Sequence, residues 1–389
     1  MKFEFHVPET IICGGGSRLQ AGDVAARIGI RKALLVSDVT VSKLPFHKEV
    51  LDCLIEKSIE VFDFHDLASE PSDVDVDKAV AALRAHGCDG AISLGGGSCI
   101  DTAKAACVLY TNGGVMSDFQ GYHRVKKAGL PHIAIPTTAG TGSEVTRNTI
   151  INDVARKVKM LCLDNAFITK AAIVDYEMTV TMPAPLTAYV GVDALTHAIE
   201  GYVSRKASLL SDSYALLAIE HISGSILAAF HNPGDLTARE NMMLGSTYAG
   251  MAFGNSSVCT VHGMSRPIGA YFHVPHGLSN AFLLPAVTAR SIGGNFSRYA
   301  GVAMAMGLGQ GGETDAQLAG LMVERLAAFN RDLAIPSMKA WGIDEATYLD
   351  KADTMAQDAL DSGSPGNNPT LFTKAEIVEI YRTAYGVGL

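Results

Sequence analysis

A carboxylate and an imidazole four positions apart, Asp193 and His197, are the first candidates for chemistry, in the segment GVDALTHAIEGYV. Residues at this spacing lie on one face of a helix, so both side chains would reach toward the same point. Two more histidines, His262 and His276, occur in VHGMSRPIGAYFHVPHGLSN. Together these residues form a suitable ligand set for a divalent transition metal, since imidazole binds iron, zinc, copper and nickel. The spacing alone does not choose between Fe²⁺ and Zn²⁺, and each residue by itself would more often be a cap or core residue.

A glycine-rich turn in the segment LGGGSCID separates an apolar strand pattern from a helical one. Its small residues are Gly95, Gly96, Gly97 and Ser98. Glycines let backbone N–H groups approach an anion, and a helix N-terminus adds partial positive charge. The pattern departs from the dinucleotide fingerprint G-x-G-x-x-G, because Ile100 stands in place of the third glycine. The turn therefore indicates either a phosphate site or a plain tight turn.

Two other polar segments follow apolar strand patterns. Asp38 comes directly after ALLVS, and Thr137 and Thr138 belong to PTTAGTGSEVT. An acid at a strand end can hold a ribose hydroxyl and repel a 2′-phosphate, although Asp38 could equally be a turn or cap residue. The threonine hydroxyls could meet phosphate or nicotinamide. Three such turns at strand ends indicate one binding cleft at the carboxyl edge of a sheet.

The first half of the chain alternates between strand and helix patterns. Residues 33–37 and 132–136 are short apolar runs typical of buried parallel strands, and residues 76–87 predict an amphipathic helix that stops at Gly87. Alternation of this kind predicts a parallel sheet with helices on both faces. We therefore predict a Rossmann-like α/β domain over residues 1–181.

Helical periodicity dominates after about residue 182, where Pro183 and Pro185 interrupt the earlier pattern. One apolar helix stripe is predicted to consist of Leu210, Tyr214, Leu217, Ala218 and Ile222. Residues 314–333 and 373–386 also predict helices. We therefore predict an all-helical domain over residues 182–389.

Composition excludes several classes of partner. The 389 residues are 48% hydrophobic and 18% charged, with a formal net charge of −9. This balance, without Lys/Arg blocks, argues against nucleic acid or anionic membranes as partners. We find neither a secretory signal nor an apolar run near the roughly 20 residues that span a bilayer. The seven scattered cysteines predict free thiols in a reducing compartment, and hence a cytoplasmic protein.

Four segments together resemble the iron-containing (group III) alcohol dehydrogenase family, near its lactaldehyde reductase and 1,3-propanediol dehydrogenase members. They are GVDALTHAIEGYVS, GGGSCID, PTTAGTGSEVT and the stretch that runs from His262 to PHG. The resemblance covers nearly the whole chain. It implies a two-domain fold like that of dehydroquinate synthase, in which the α/β domain binds NAD(P), the helical domain holds the metal and the substrate lies between them. It also implies a homodimer or a larger homo-oligomer.

The family's functional residues carry over by position. Its metal ligands correspond to Asp193, His197, His262 and His276. Its cofactor contacts correspond to Asp38, Gly95, Gly96, Gly97, Ser98, Asp101, Thr137, Thr138 and Lys159. Asp38 favours NAD over NADP, because a carboxylate repels a 2′-phosphate. The resemblance implies Fe²⁺, with Zn²⁺ as the alternative.

The sequence departs from the family pattern four residues after His262, where members usually carry a second histidine near the substrate. Here Arg266 stands at that position, and a guanidinium with a pKa above about 12 is no general base. Arg266 could point elsewhere and leave proton exchange to water or the cofactor ribose. It could instead bind an anionic group of the substrate. In a third interpretation, His273 takes over the proton relay, although an ordinary loop histidine is the simpler explanation.

The residues and the resemblance predict an NAD- and metal-dependent alcohol dehydrogenase or aldehyde reductase for short-chain primary alcohols or aldehydes. A first alternative is the same chemistry on a hydroxy acid or semialdehyde held by Arg266. A more remote alternative is a lyase like dehydroquinate synthase, which recycles its NAD. The motifs around Asp193 and His262 follow the alcohol dehydrogenase pattern and disfavour the lyase.

Overall fold

Two units make up the chain in the computed structural model, which describes residues 2–67 and 70–386. The first unit is Phe5–Thr181, and the second comprises the chain from Met182 onward together with residues 2–4. Pro183 and Pro185 lie at the start of the first long helix of the second unit, where Pro183 is the N-cap. Proline is tolerated there because the first N–H groups of a helix have no partner within the helix.

The N-terminal unit is built on a six-stranded parallel sheet. The strands of this unit are β1 (Thr10–Cys13), β2 (Lys32–Val36), β3 (Glu60–Phe64), β4 (Gly90–Gly95), β5 (Gly121–Tyr122), β6 (His132–Pro136), β7 (Asn148–Asp153), β8 (Val158–Leu163) and β9 (Ala171–Val174). The large sheet has the order β1-β9-β6-β4-β2-β3, and β5, β8 and β7 form a small second sheet. The predicted strands over 33–37 and 132–136 are therefore confirmed as β2 and β6.

Helices cover both faces of the large sheet. They are α1 (Ala21–Arg27), α2 (Pro45–Glu56), α3 (Asp73–His86) and α4 (Gly97–Asn112). Leu34 packs in a core with residues of α3 and α4, whereas the next residue, Leu35, packs in a core with residues of α1 and α2. Successive residues of a strand point to opposite faces, so one apolar run serves both cores. The prediction of a parallel α/β sheet is confirmed, and α3 ends at Gly87, whose φ is +61°.

The strand register brings three strand ends to one edge of the sheet. Val36 of β2 pairs with Ser93 of β4, and Gly95 of β4 pairs with Pro136 of β6. The segments that follow these strands must therefore lie side by side. They are the Asp38 turn, the glycine turn and the threonine turn.

The C-terminal unit is helical throughout the residues that the structure describes, as predicted. Its helices are α5 (Ala184–Val203), α6 (Leu209–His231), α7 (Leu236–Asn255), α8 (Thr260–Phe272), α9 (His276–Ser291), α10 (Phe296–Ala305), α11 (Asp315–Asp332), α12 (Met338–Trp341), α13 (Glu345–Asp361) and α14 (Lys374–Gly386). The helices predicted over 314–333 and 373–386 are confirmed as α11 and α14. Helix α5 packs closely on α6 at Gly191, since a Cβ there would lie 2.9 Å from Ile226 Cδ1.

The face that α6 buries differs in part from the predicted stripe. Leu210 and Leu217 are 44% and 42% exposed. Ala218 and Ile222 of the stripe are buried, and the full buried set along α6 is Ser211, Ala215, Ala218, Ile219, Ile222, Ser225, Ile226 and Ala229. The prediction of the stripe was wrong in part, because α6 is apolar nearly all round and its neighbours α5 and α7 decide which side is covered.

By length and composition, α6 would allow a membrane crossing, and among the described residues it is the one helix that does so. Its mean hydropathy over an 18-residue window is 1.3, and 39% of that window is buried. Ile222 lies close to α7, because a Cβ on Gly245 would meet its Cγ1 at 2.6 Å. A single helix of this kind is weak evidence for a membrane span, since core helices share its composition.

Candidate functional site

Four side chains from three helices converge in the C-terminal unit. Asp193 and His197 come from α5, His262 from α8, and His276 is the first residue of α9. One ligand atom from each residue lies within 4.8 Å of the others. Asp193 Oδ1 lies 3.6 Å from His262 Nε2 and 3.7 Å from His276 Nε2. This set of one carboxylate and three imidazoles is the donor set of a site for a divalent transition metal.

The cluster is buried on one side and accessible on the other. The side chains of Asp193, His197 and His262 are 4%, 7% and 4% exposed, and that of His276 is 37% exposed. Burial alone would raise the pKa of Asp193, but the imidazoles of His197, His276 and His262 outweigh it and hold that pKa well below its usual range. Asp193 is therefore ionised at neutral pH.

Ring stacking fixes the plane of the His197 imidazole. Its centroid lies 4.2 Å from that of Phe253 and 4.4 Å from that of His262, with interplanar angles of 14° and 24°. Phe253 is 9% exposed and lies on α7. The apolar ring thus holds one imidazole and shields it from water.

Two polar residues that the sequence analysis missed support the cluster. Glu200 accepts a hydrogen bond from His262 Nδ1 at 2.7 Å, and Asn280 Nδ2 donates to Asp193 Oδ1 at 2.6 Å. Glu200 follows His197 by three positions, and Asn280 follows His276 by four. The same helical spacing that singled out Asp193 and His197 could therefore have found both of them.

Arg266 and His273 occupy different positions on α8. Arg266 lies four residues after His262 in the same helix, so both side chains leave the same face, and it is half-buried. His273 is the C-cap of α8 with a φ of +53°, is exposed, and its N–H donates to the Gly269 carbonyl at 3.0 Å. The ligand cluster is made of the four predicted residues. His273 is not among them, whereas Arg266 lies one turn from one of them.

The glycine and threonine turns contact each other in the N-terminal unit. The Thr137 N–H donates to the Gly95 carbonyl at 3.0 Å. A Cβ on Gly95 would lie 2.4 Å from Cys99 Sγ, and one on Gly96 would lie 3.5 Å from Thr138 Oγ1. Gly95 is therefore required by close packing. Because α4 begins at Gly97, its N-terminus faces this turn, an arrangement that suits a phosphate group.

Asp38 uses one carboxylate oxygen to hold its own turn. Its Oδ1 accepts hydrogen bonds from the N–H groups of Thr40 and Val41 at 2.7 and 2.9 Å. Its Oδ2 lies 3.8 Å from Cys99 Sγ and 3.8 Å from the position of a Cβ on Gly95. The sequence allows Asp38 to be either a turn residue or an acid that holds the ribose. The two roles are compatible, because Oδ1 bonds the turn while Oδ2 lies beside the glycine turn.

Asp101 and Lys159 are engaged by other residues of the chain. Asp101 is half-buried and accepts hydrogen bonds from Ser143 Oγ at 2.5 Å and from the Ile150 N–H at 2.8 Å. One of its oxygens therefore holds the threonine turn, and the other holds β7. Lys159, on β8, donates to Glu70 Oε1 at 3.0 Å.

A buried lysine joins the same support. Lys104 is 1% exposed, and its Nζ lies within 3.3 Å of five oxygens that belong to Ser143, Thr146 and Asn148. Burial lowers the pKa of Lys104 to about 8, against the opposing effect of Asp101. One ammonium group thus fixes the segment that ends the threonine turn.

The lowered pKa of Lys104 predicts a pH dependence of stability. Above the folded pKa of about 8, the unfolded chain binds more protons than the folded one, so the free energy of unfolding rises with pH up to the lysine's usual value. We expect this rise between pH 8 and pH 10 to be larger in the wild type than in Lys104→Met by about 1–2 kcal/mol. Urea unfolding at several pH values measures it, and parallel curves for the two proteins would contradict the prediction.

Comparison with known proteins agrees with this fold. The family model of iron-containing alcohol dehydrogenase matches residues 8–176, and that of the C-terminal part of the Fe-containing alcohol dehydrogenase family matches residues 187–385. The chain is 35% identical to an NAD-dependent methanol dehydrogenase of Bacillus methanolicus over 98% of this chain and 99% of that one. It is 36% identical to lactaldehyde reductase of Escherichia coli K12 over 97% of this chain and 98% of that one. A crystal structure of 1,3-propanediol oxidoreductase superimposes with a TM-score of 0.96 at 32% identity, over 99% and 100% of the chains.

The chain therefore belongs to the iron-containing alcohol dehydrogenase family. It is an enzyme of the class predicted from the sequence, an NAD-dependent oxidoreductase acting on alcohols or aldehydes. Iron and NAD are the cofactors of this class, as predicted, and the lyase alternative loses its support.

Proposed function

We propose that the protein interconverts a short-chain primary alcohol and its aldehyde, with Fe²⁺ held by Asp193, His197, His262 and His276. The observation that carries this proposal is the convergence of these four donors within 4.8 Å. The substrate size and the residue roles are our inference, and Zn²⁺ is the alternative metal.

The donor set fits a divalent cation on its own chemistry. Asp193 is buried and ionised among imidazoles, and a cation would balance its charge. Bound there, the metal would act as a Lewis acid on the substrate oxygen, while the hydride chemistry belongs to NAD(H). The chain holds the imidazoles in place, and Phe253 keeps water away from His197.

For the cofactor, we propose that the pyrophosphate binds at the first turn of α4. The supporting residues are Gly95, Gly96, Gly97, Ser98, Thr137 and Thr138. Asp38 Oδ2 would hold the ribose hydroxyls and select NAD over NADP. Asp101 would act indirectly by holding Ser143, and Lys159 would contact the cofactor only by leaving Glu70.

Arg266 favours a second candidate substrate class. It lies one helical turn after His262 and is half-buried, so it would reach the substrate side of the cluster. A guanidinium matches a carboxylate with two parallel hydrogen bonds. A hydroxy acid or semialdehyde would then be the substrate. In the leading proposal Arg266 does not touch the substrate, and water or the cofactor ribose exchanges the proton; His273 is the third candidate for that exchange.

A substrate panel separates these candidates. We expect the Fe²⁺-loaded protein to oxidise NADH faster with propionaldehyde or lactaldehyde than with succinic semialdehyde, and to keep that preference in Arg266→His. The contrary result is a preference for the semialdehyde that falls by roughly 10- to 100-fold in Arg266→His, as the loss of a charge-assisted bond predicts. Arg290→His, at an exposed position near the end of α9, is the matched control.

We also propose a cytoplasmic location and a homodimer or larger homo-oligomer. All seven cysteines are free thiols, which is typical of a reducing compartment. Size-exclusion chromatography with light scattering measures the oligomeric state directly.

A further inference from the structure

We propose that Glu200 positions His262 for metal binding, by holding one imidazole tautomer and by anchoring the first turn of α8. This role rests on the metal site proposed above. Glu200 is 3% exposed, and its carboxylate joins α5 to the first turn of α8.

The tautomer follows from one hydrogen bond. Glu200 Oε2 lies 2.7 Å from His262 Nδ1. An ionised carboxylate only accepts hydrogen bonds, so Nδ1 must carry a proton, and in the neutral imidazole Nε2 then keeps its lone pair. That Nε2 lies 3.6 Å from Asp193 Oδ1, on the side of the ligand cluster. Glu200 therefore selects the form of His262 that can bind a metal.

The same carboxylate also holds the backbone of α8. It accepts hydrogen bonds from the N–H groups of Cys259 at 2.8 Å, Val261 at 2.6 Å and His262 at 3.4 Å. The N-cap residue Cys259 provides no side-chain cap of its own. A negative charge at a helix N-terminus also interacts favourably with the partial positive charge there. One side chain thus fixes both the ring and the main chain of His262.

The position of Glu200 on α5 links it to two other ligands. Glu200 follows Asp193 by seven residues and His197 by three, so all three lie on one face of the helix. This face supplies two ligands directly and orients a third. A change at Glu200 should therefore alter the geometry of the ligand set and not only the stability of α8.

The competing explanation is a helix cap with no role in the site. Asp235 provides the control, because it caps α7 by accepting a hydrogen bond from the Ala238 N–H at 3.0 Å. It is not among the four residues of the ligand cluster. Both Glu200→Leu and Asp235→Leu should lower the melting temperature, but only Glu200→Leu should weaken metal binding.

The experiment measures Zn²⁺ and Fe²⁺ dissociation constants of the full-length, metal-free proteins by competition with a chelator, together with the absorption spectrum of the Co²⁺-loaded proteins. We expect Glu200→Leu to bind Zn²⁺ roughly 10- to 100-fold more weakly and to alter the Co²⁺ spectrum. Asp235→Leu should bind within twofold of the wild type. Glu200→Gln keeps an oxygen acceptor, so it should show a smaller loss of about three- to tenfold and partly rescue the spectrum.

The outcomes distinguish this role from the metal site itself. If Glu200→Leu lowers the melting temperature and yet keeps the metal affinity and the Co²⁺ spectrum of the wild type, Glu200 is a helix cap only. This inference would then fail while the proposed metal site stands. If Glu200→Leu does not fold, Glu200→Gln decides by the same measurements, and an affinity within twofold of the wild type overturns the role. A wild type that binds none of these metals would overturn the proposed site and the role together.

Discussion

Replacing His262 by alanine is expected to abolish metal binding and to lower kcat for aldehyde reduction by roughly 10³-fold, since Lewis-acid stabilisation is worth several kcal/mol. His262 is 3% exposed and lies between Asp193 and Glu200. Alanine removes one of four donors and leaves two buried carboxylates without this partner. The melting temperature should therefore fall as well, because a buried charge without its partner is costly.

The test combines metal content per chain with steady-state NADH oxidation at saturating aldehyde. His221→Ala is the matched control, because His221 lies on α6 and bonds Asn241 at 3.1 Å. The control should keep one metal per chain and a kcat close to that of the wild type. A His262→Ala protein that retains its metal and loses less than tenfold in kcat would contradict the proposed ligand set.

Replacing Asp38 by asparagine is expected to raise the ratio of kcat/KM for NADPH to that for NADH by roughly 30- to 100-fold, because a carboxylate near a 2′-phosphate costs about 2–3 kcal/mol at a partly exposed site. Asparagine keeps a side-chain oxygen for the N–H groups of Thr40 and Val41, to which Asp38 Oδ1 bonds at 2.7 and 2.9 Å. The turn should therefore persist while the charge disappears. The substitution therefore tests the repulsion between the carboxylate and the 2′-phosphate without disrupting the turn.

The measurement is a pair of saturation curves, one with NADPH and one with NADH, at fixed aldehyde. Glu60→Gln is the control, since it removes an exposed carboxylate of the same unit that pairs with Lys32 at 2.8 Å. If the cofactor preference changes equally in both variants, the cause is the net charge of the protein and not the position of Asp38. An unchanged preference in Asp38→Asn would place the cofactor ribose elsewhere.

Local sequence patterns predicted the elements of the N-terminal unit closely. The apolar run that became β6 was placed on residues 132–136, and helix α3 was predicted to stop at Gly87, which has a φ of +61°. Both predictions depend on patterns within a few residues, namely a short apolar run and a left-handed helix end. Residue types indicated the four ligands and the resemblance supported them, but their convergence requires contacts far apart in the chain.

The supporting residues and the packing of the helices needed the tertiary structure. Leu217 is 42% exposed although it belongs to the predicted stripe of α6, because the neighbours of an almost uniformly apolar helix choose its buried face. Asp101 and the buried Lys104 both bond Ser143 of the threonine turn, which no spacing in the sequence reveals.

Sequence by itself thus determined the fold class, the turns at the sheet edge and the pair Asp193 and His197, since each depends on short-range spacing or backbone preference. Only the tertiary structure decided that Glu200 meets His262, 62 residues away, and that Asn280 meets Asp193, 87 residues away. Hydrogen bonds between distant helices depend on how those helices pack, and packing is a property of the whole unit.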